Sequence, residues 1–234
     1  MTLKTLTQNT GSALQRLFSV CLICLPITLN AQTPDYQGRV DFNVHLQSVT
    51  SDWRYDGEKR RTRISRAGFG WSETLSSYLS GGLLLGYVDL SQADNPLDTG
   101  KLTTGYYAGL QLDGKLVDTP YLNLKLNLSF LYNNTQNTEN DQRVNNVWTQ
   151  SEIKLLARIP LGKRLGLQLA ANSYRIRGEQ QNGKSVSSIN RFQQDTRTGY
   201  SAGLDVVIDA GGSIGFDWLA GSREGGRIYF RRRF

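Results

Sequence analysis

From Tyr36 onward the apolar positions of this chain recur at every second residue. The run Tyr121–Tyr132 shows it best: Leu122, Leu124, Leu126, Leu128, Phe130 and Tyr132 alternate with Asn123, Lys125, Asn127, Ser129 and Leu131. A helix turns each residue by about 100° and could not gather these on one face, whereas a strand does so by construction. Val40, Phe42, Val44 and Leu46 repeat the pattern against Arg39, Asp41, Asn43, His45 and Gln47. Further strands are read at Leu102–Leu112, Val147–Ile159, Leu165–Leu169, Tyr200–Ile208, Ile214–Trp218 and Ile228–Phe230. Arg61–Trp71 and Leu79–Leu90 are apolar on both parities or rich in Gly, so strands are expected there without assigned faces.

The connections alternate in length. Ser51–Arg60, Gln92–Gly100, Asn134–Asn145 and Glu179–Phe192 read as long polar loops. Ser72–Ser77, Gly114–Thr119, Pro160–Arg164 and Asp209–Gly212 read as short turns, with a tight link at Ser222–Gly226. Counting gives ten antiparallel strands in up-and-down order, with eight as the alternative if a Gly-rich segment is over-split. Long loops on one side and short turns on the other, around an even number of strands, suit a transmembrane β-barrel.

The mean hydropathy of −0.41 does not exclude membrane insertion. A membrane barrel shows lipid only every second residue, and only a spanning helix needs about 20 consecutive apolar residues. The first residues differ from the rest. Lys4 and Arg16 are the only charges before Asp35, and an apolar run, Leu17–Leu29, precedes Leu29-Asn30-Ala31. A basic start, an apolar core and a small residue at the cut read as a secretory signal peptide over 1–31, leaving a single barrel domain over 32–234. The alternative, a membrane anchor, is disfavoured by the short core and the polar Gln32-Thr33-Pro34-Asp35 that follows. Cys21 and Cys24 both fall in that segment, so no disulfide framework, thiolate metal site or cofactor is expected in the mature chain.

The chain carries 27 Lys and Arg against 20 Asp and Glu. Without Lys4 and Arg16 the balance is 25 to 20, a net +5. Export argues against nucleic acid as the partner of this charge; lipopolysaccharide phosphates and the barrel lumen are the expected uses.

Phe234 follows Ile228 and Phe230 at alternate positions, and in this the chain resembles small bacterial outer-membrane β-barrel proteins, whose closing strand carries such an aromatic signal. Arg232 departs from the pattern. The resemblance implies the outer membrane as the location and the barrel assembly machinery as a partner in biogenesis. It implies outer-membrane lipids and lipopolysaccharide as surroundings; a monomer is expected. On that reading Val40, Phe42, Val44, Leu122, Leu124, Leu126, Leu128 and Phe130 face lipid, and Tyr87, Tyr106, Tyr132, Phe69, Trp71 and Trp218 sit toward the membrane interfaces. Arg39, Asp41, His45, Lys125, Glu152, Lys154, Arg158, Arg197, Asp205, Asp217, Arg227 and Arg231 are the expected lumen residues.

Charges of both signs in a narrow lumen should pair, since an isolated charge away from bulk water is costly. About eight strands leave an interior that side chains fill, and 16 or more leave an open channel, so ten strands favour a plugged or very narrow barrel. The expected function is accordingly structural, a narrow pore or a ligand-binding barrel. An outer-membrane lipid hydrolase using His45 is the first alternative, although no companion motif accompanies that histidine. A soluble lipocalin-like barrel, with its apolar parity inside, is the second.

Overall fold

The computed structural model describes residues 39–92, 102–139, 142–182 and 189–234. The expected signal peptide and the start of the barrel domain up to residue 38 lie outside the described residues. The described residues form β1 (Val40–Tyr55), β2 (Glu58–Thr74), β3 (Leu79–Gln92), β4 (Thr103–Asp118), β5 (Asn123–Glu139), β6 (Gln142–Pro160), β7 (Leu165–Asn182), β8 (Ile189–Gln194), β9 (Thr198–Val207), β10 (Gly212–Gly221) and β11 (Glu224–Arg233). All pairings are antiparallel, and β11 pairs with β1 from Asp41↔Arg233 to Thr50↔Glu224, which closes the sheet on itself.

Eleven strands make ten crossings. β8 and β9 both descend along the same edge of β7, with Arg177↔Gln193 above and Ser173↔Thr198 below. Asp195, Thr196 and Arg197 leave the β7 ladder between them; Asp195 N–H donates to Asp52 O at 3.0 Å, and Tyr174 N–H donates to Arg197 O at 2.8 Å. The base ring therefore runs β1–β7, β9, β10, β11 and back to β1. Above the tip of the β10–β11 hairpin the wall closes differently: β8 pairs directly with β1 through Trp53↔Gln194 and Tyr55↔Phe192. The barrel has ten strands at its wide end and eight at its narrow end.

Strand length follows the same division. β10 and β11 have 10 residues each, close to the 9–11 that cross a bilayer as tilted strands. β6 and β7 have 19 and 18, so they run well past the hairpin tip.

Three of the expected loops are largely strand. Ser51–Arg60 is the top of the β1–β2 hairpin, closed by a two-residue turn whose Asp56 and Gly57 have φ of 45° and 97°. Asp-Gly is the dipeptide that tolerates two left-handed residues in a row and matches the twist of the flanking strands. Asn134–Asn145 and Glu179–Phe192 likewise contribute to β5 through β8. Their polarity reads as loop because water-facing residues there are polar and so are some inward ones, among them the buried Thr135 and Gln180. The short turns lie at 75–78, 119–122, 161–164 and 208–211; the last two fall where expected, whereas β2 runs on through Thr74 and β4 through Asp118, so that most of the expected Gly114–Thr119 turn is strand.

Apart from a bulge in β4 between Lys115 and Val117, strand parity holds along the barrel, but the polarity of each face inverts partway up. Toward the wide end the outward residues are apolar and exposed: Val44 and Leu46, Phe69, Leu83 and Leu85, Leu110, Phe130, Ile153 and Leu155, Ile228 and Phe230. The inward partners are polar, among them Asn43, His45, Gln111, Asp113, Lys125, Asn127 and Lys154. Toward the narrow end the same outward parity carries Thr50, Asp52, Arg54, Arg61, Arg63, Asp89 and Arg177, while Val49, Trp53, Ile64, Val88, Leu90 and Ile176 are buried inside. Tyr87 and Tyr106 are paired neighbours on adjacent strands at the level of this inversion, with Tyr132 and Trp218 near it; Tyr87 is 76% exposed.

Candidate functional site

The interior is organised in layers. At the narrow end the Trp53 indole stacks on Phe192 at 4.7 Å, meets Trp148 edge-on at 5.8 Å, and donates to Ser51 Oγ at 2.9 Å. Tyr55 leans on Phe192 at 5.0 Å. Trp53 and Trp148 are buried. An eight-stranded ring leaves an interior that side chains fill, and here large rings fill it.

Beneath this cap lies a layer of buried polar groups. Arg66 donates to Asn133 Oδ1 at 2.9 Å and to Gln150 Oε1 at 2.7 Å. Arg223, carried on the turn of the short β10–β11 hairpin, points inward and donates to Glu152 Oε1 at 2.7 Å, where Asn172 donates at the same distance. Its guanidinium lies 3.9 Å from the centre of the Tyr174 ring. A buried charge is tolerable when it is both paired and hydrogen-bonded, and this pair meets both conditions.

Below that layer a cavity of about 210 Å³ extends to the wide rim. Arg66, Lys125, Lys154, Arg223, Arg227, Arg231 and Arg233 line it against Asp41, Asp113, Glu152 and Asp217, so cations outnumber carboxylates. Arg227 clamps Asp217, and Arg233 donates to Asp41 at 3.0 Å. Asp113 accepts from Asn127 at 2.9 Å. Lys154 stands 3.9 Å from Glu152. Among the described residues, Lys125 and Arg231 form no ion pair within 4.0 Å; the Arg231 guanidinium lies 5.8 Å from the Tyr229 ring.

His45 lines this cavity and shares a 3.0 Å hydrogen bond with Tyr107 Oη. The contact depends on Gly68. A Cβ built there would fall 1.6 Å from Tyr107 Oη and 2.9 Å from the His45 ring. Tyr107 is the side-chain hydrogen-bond partner of His45 among the described residues.

The structure puts Asp41, His45, Lys125, Glu152, Lys154, Asp217, Arg227 and Arg231 around one cavity. Arg158 and Asp205 form an inward bidentate pair at 2.7 Å, which Gln168 joins at 3.0 Å, in the same layer as Tyr229. Arg39 is exposed at the wide rim, where its carbonyl accepts from Thr74. Arg197 is exposed in the break between β8 and β9 and is not among the residues that line the cavity. Arg66 and Arg223 are lumen residues that alternation did not reveal. Arg66 sits on β2, where glycines blur the parity, and Arg223 reads from sequence as part of a tight turn.

Of the expected outward set, Val40, Phe42, Val44, Leu124, Leu126, Leu128 and Phe130 lie on the outer parity, Leu122 sits in the turn before β5, and Phe234 packs edge-on to Phe42 at 5.5 Å. A soluble lipocalin-like barrel requires the opposite arrangement at the wide end. An apolar band around a closed sheet satisfies both demands of hydrocarbon, paired backbone and apolar surface. The fold is a transmembrane β-barrel.

No family model matches the chain, and no curated protein matches it. Among solved structures it is similar to an outer membrane channel from Pseudomonas putida F1, with 13% identity, a TM-score of 0.47, and coverage of 84% of this chain and 96% of that one. It is also similar to the outer membrane protease OmpT from Escherichia coli, with 10% identity, a TM-score of 0.43, and coverage of 86% and 95%. A third is the outer membrane protein OprG from Pseudomonas aeruginosa, with 11% identity, a TM-score of 0.41, and coverage of 84% and 95%.

Proposed function

We propose that the chain is an integral protein of the bacterial outer membrane that is sealed against through-flow and holds a small anion in its lumen, reached from the periplasmic end. The observation that carries this reading is the stacked Trp53–Phe192–Trp148 cap above a cavity with more cations than carboxylates. A pore needs a continuous water path, and the cap leaves none between these rings. A ligand-holding lumen needs charge left over after internal pairing, and Lys125 and Arg231 supply it. The short turns and the cavity mouth share the wide end, which makes that end periplasmic if outer-membrane barrels keep their long connections outside.

The test is conductance in planar bilayers, coupled to binding of inorganic phosphate and citrate measured by calorimetry on the detergent-solubilised barrel. The wild type should give no stepwise conductance, and Trp53→Ala combined with Trp148→Ala should open a channel. Citrate or phosphate should bind the wild type and bind Lys125→Gln/Arg231→Gln about tenfold more weakly, as expected when two charge-assisted contacts are lost. Steady conductance in the wild type overturns the sealed reading. Equal anion affinity in the double variant overturns the lumen site.

A further inference from the structure

Along the outward parity of β7 the side chains are Leu165, Leu167, Leu169, Ala171 and Ser173, and then Arg175 and Arg177. On the neighbouring β9 the outward residues are Val206, Leu204, Ala202 and Tyr200, with Tyr200 60% exposed. Two guanidinium groups thus begin where the apolar band stops. In the break between β8 and β9 the exposed Arg197 lies next to this strand, its carbonyl accepting from the Tyr174 N–H at 2.8 Å, one residue before Arg175.

The carboxylates nearby are already engaged. Asp195 pairs with Arg54 and Lys59, and Glu179 with Arg191 at 3.3 Å. Among the described residues none of Arg175, Arg177 and Arg197 forms an ion pair, and Arg175 Nε is enclosed with no hydrogen-bond partner. An enclosed guanidinium N–H without an acceptor is costly. A phosphate supplies acceptor oxygens that match the planar fork of guanidinium donors, and basic side chains at the edge of a hydrocarbon slab attract anionic headgroups.

We propose that Arg175, Arg177 and Arg197 bind the phosphate of an acylated, phosphorylated glycolipid of the outer leaflet, its acyl chains lying against Ala171, Leu169, Ala202 and Tyr200. The proposal rests on the reading of the wide half as lipid-embedded. A lipid is the occupant that satisfies both parts of the surface: a soluble phosphate would engage the arginines and leave the apolar strip below them unused.

The experiment measures binding of lipopolysaccharide, its dephosphorylated form and inorganic phosphate to the full chain in detergent micelles, by native mass spectrometry. The variants are Arg175→Gln/Arg177→Gln/Arg197→Gln and, as a control for lost charge, Lys163→Gln/Arg164→Gln in an exposed turn at the wide end. Lipopolysaccharide should bind the wild type and the control alike and the triple variant roughly tenfold or more weakly, with dephosphorylated lipid weak in all. Equal binding by the triple variant, or by the dephosphorylated lipid, overturns the proposal. Inorganic phosphate displacing lipid at comparable concentration also overturns it, in favour of a soluble-anion site. Insertion into liposomes, read from the heat-modifiable band, separates the two readings. Failure of the wild type to insert removes the membrane reading, whereas insertion with unchanged lipid affinity removes this site alone.

Discussion

The two halves of this barrel use one set of strands in opposite ways. Below the level of Tyr87 and Tyr106 the sheet shows leucine, isoleucine and phenylalanine outward and keeps charge inside. Above it, the same parity shows arginine, aspartate and threonine outward and keeps tryptophan, isoleucine and valine inside. The lower half is built for apolar solvent around it and the upper half for water around it. Geometry follows the division, since the β10–β11 hairpin ends near the inversion and leaves eight strands above it. The narrower ring can then be filled by side chains alone, as a soluble core is. A strand thus need not have one amphipathic character along its length; only its pleat is fixed, and the solvent at each height chooses the residues.

The largest expected effect is at the seam between the halves. Arg223→Met leaves Glu152 buried without its partner and should cost about 3–5 kcal/mol, the range for breaking one side of a buried ion pair. Replacing Glu152 as well, by Leu, should recover only part of that loss, because Lys154, 3.9 Å from Glu152, then loses its own carboxylate. Urea unfolding of the refolded barrel, followed by tryptophan fluorescence, measures both.

A pair of substitutions on one face of β4 sharpens the contrast directly. Leu110 and Thr104 share the outward parity, but Leu110 lies in the apolar band, 60% exposed, and Thr104 above it. Leu110→Arg should cost about 2–4 kcal/mol in a bilayer, as arginine near a barrel's lipid-facing midplane does. Thr104→Arg should stay within about 0.5 kcal/mol, the usual range for a water-exposed position. Similar costs at the two sites would remove the distinction between the halves.

The smallest effect belongs to the outer surface of the upper half. The hydrogen bond from Arg54, supported by Lys59, holds the Asp195 carboxyl below its ordinary range. A depressed folded-state value means that the pair stabilises the fold above the ordinary aspartate range and that this contribution disappears as pH falls through the lowered value. Acid unfolding of the wild type should therefore show a slight extra sensitivity below that range. Asp195→Asn should lack it, as comparison of the two pH-melting profiles would show.

Much of the lower half is legible in the sequence, because lipid tolerates no polar residue on the outward parity and the alternation of Val40–Leu46 and Leu122–Phe130 stays clean. The upper half is less legible for the same physical reason. Asn134–Asn145 and Glu179–Phe192 look like loops because both faces carry polar residues, Thr135 and Gln180 inside among them, yet their described residues pair in the ladder. Asp56-Gly57 is a hairpin-tip dipeptide, but the polar composition of Ser51–Arg60 around it reads as loop. In the lumen, His45, Glu152 and Lys154 follow from parity alone. Arg223 does not, since a turn residue has no parity until the register of β10 against β11 is known. Arg197 fails in the opposite sense: it has an apparent parity, but the strand is broken where it sits.

The inversion itself is most directly tested by spin labels on the two halves of β4 in liposomes, through Leu110→Cys and Thr104→Cys, with accessibility read from relaxation by oxygen and by a water-soluble nickel chelate. Oxygen partitions into hydrocarbon and the chelate does not. The label at position 110 should be relaxed mainly by oxygen and the label at 104 mainly by nickel. Nickel access at 110 matching that at 104 would contradict the account of a barrel whose lower half stands in lipid and whose upper half stands in water.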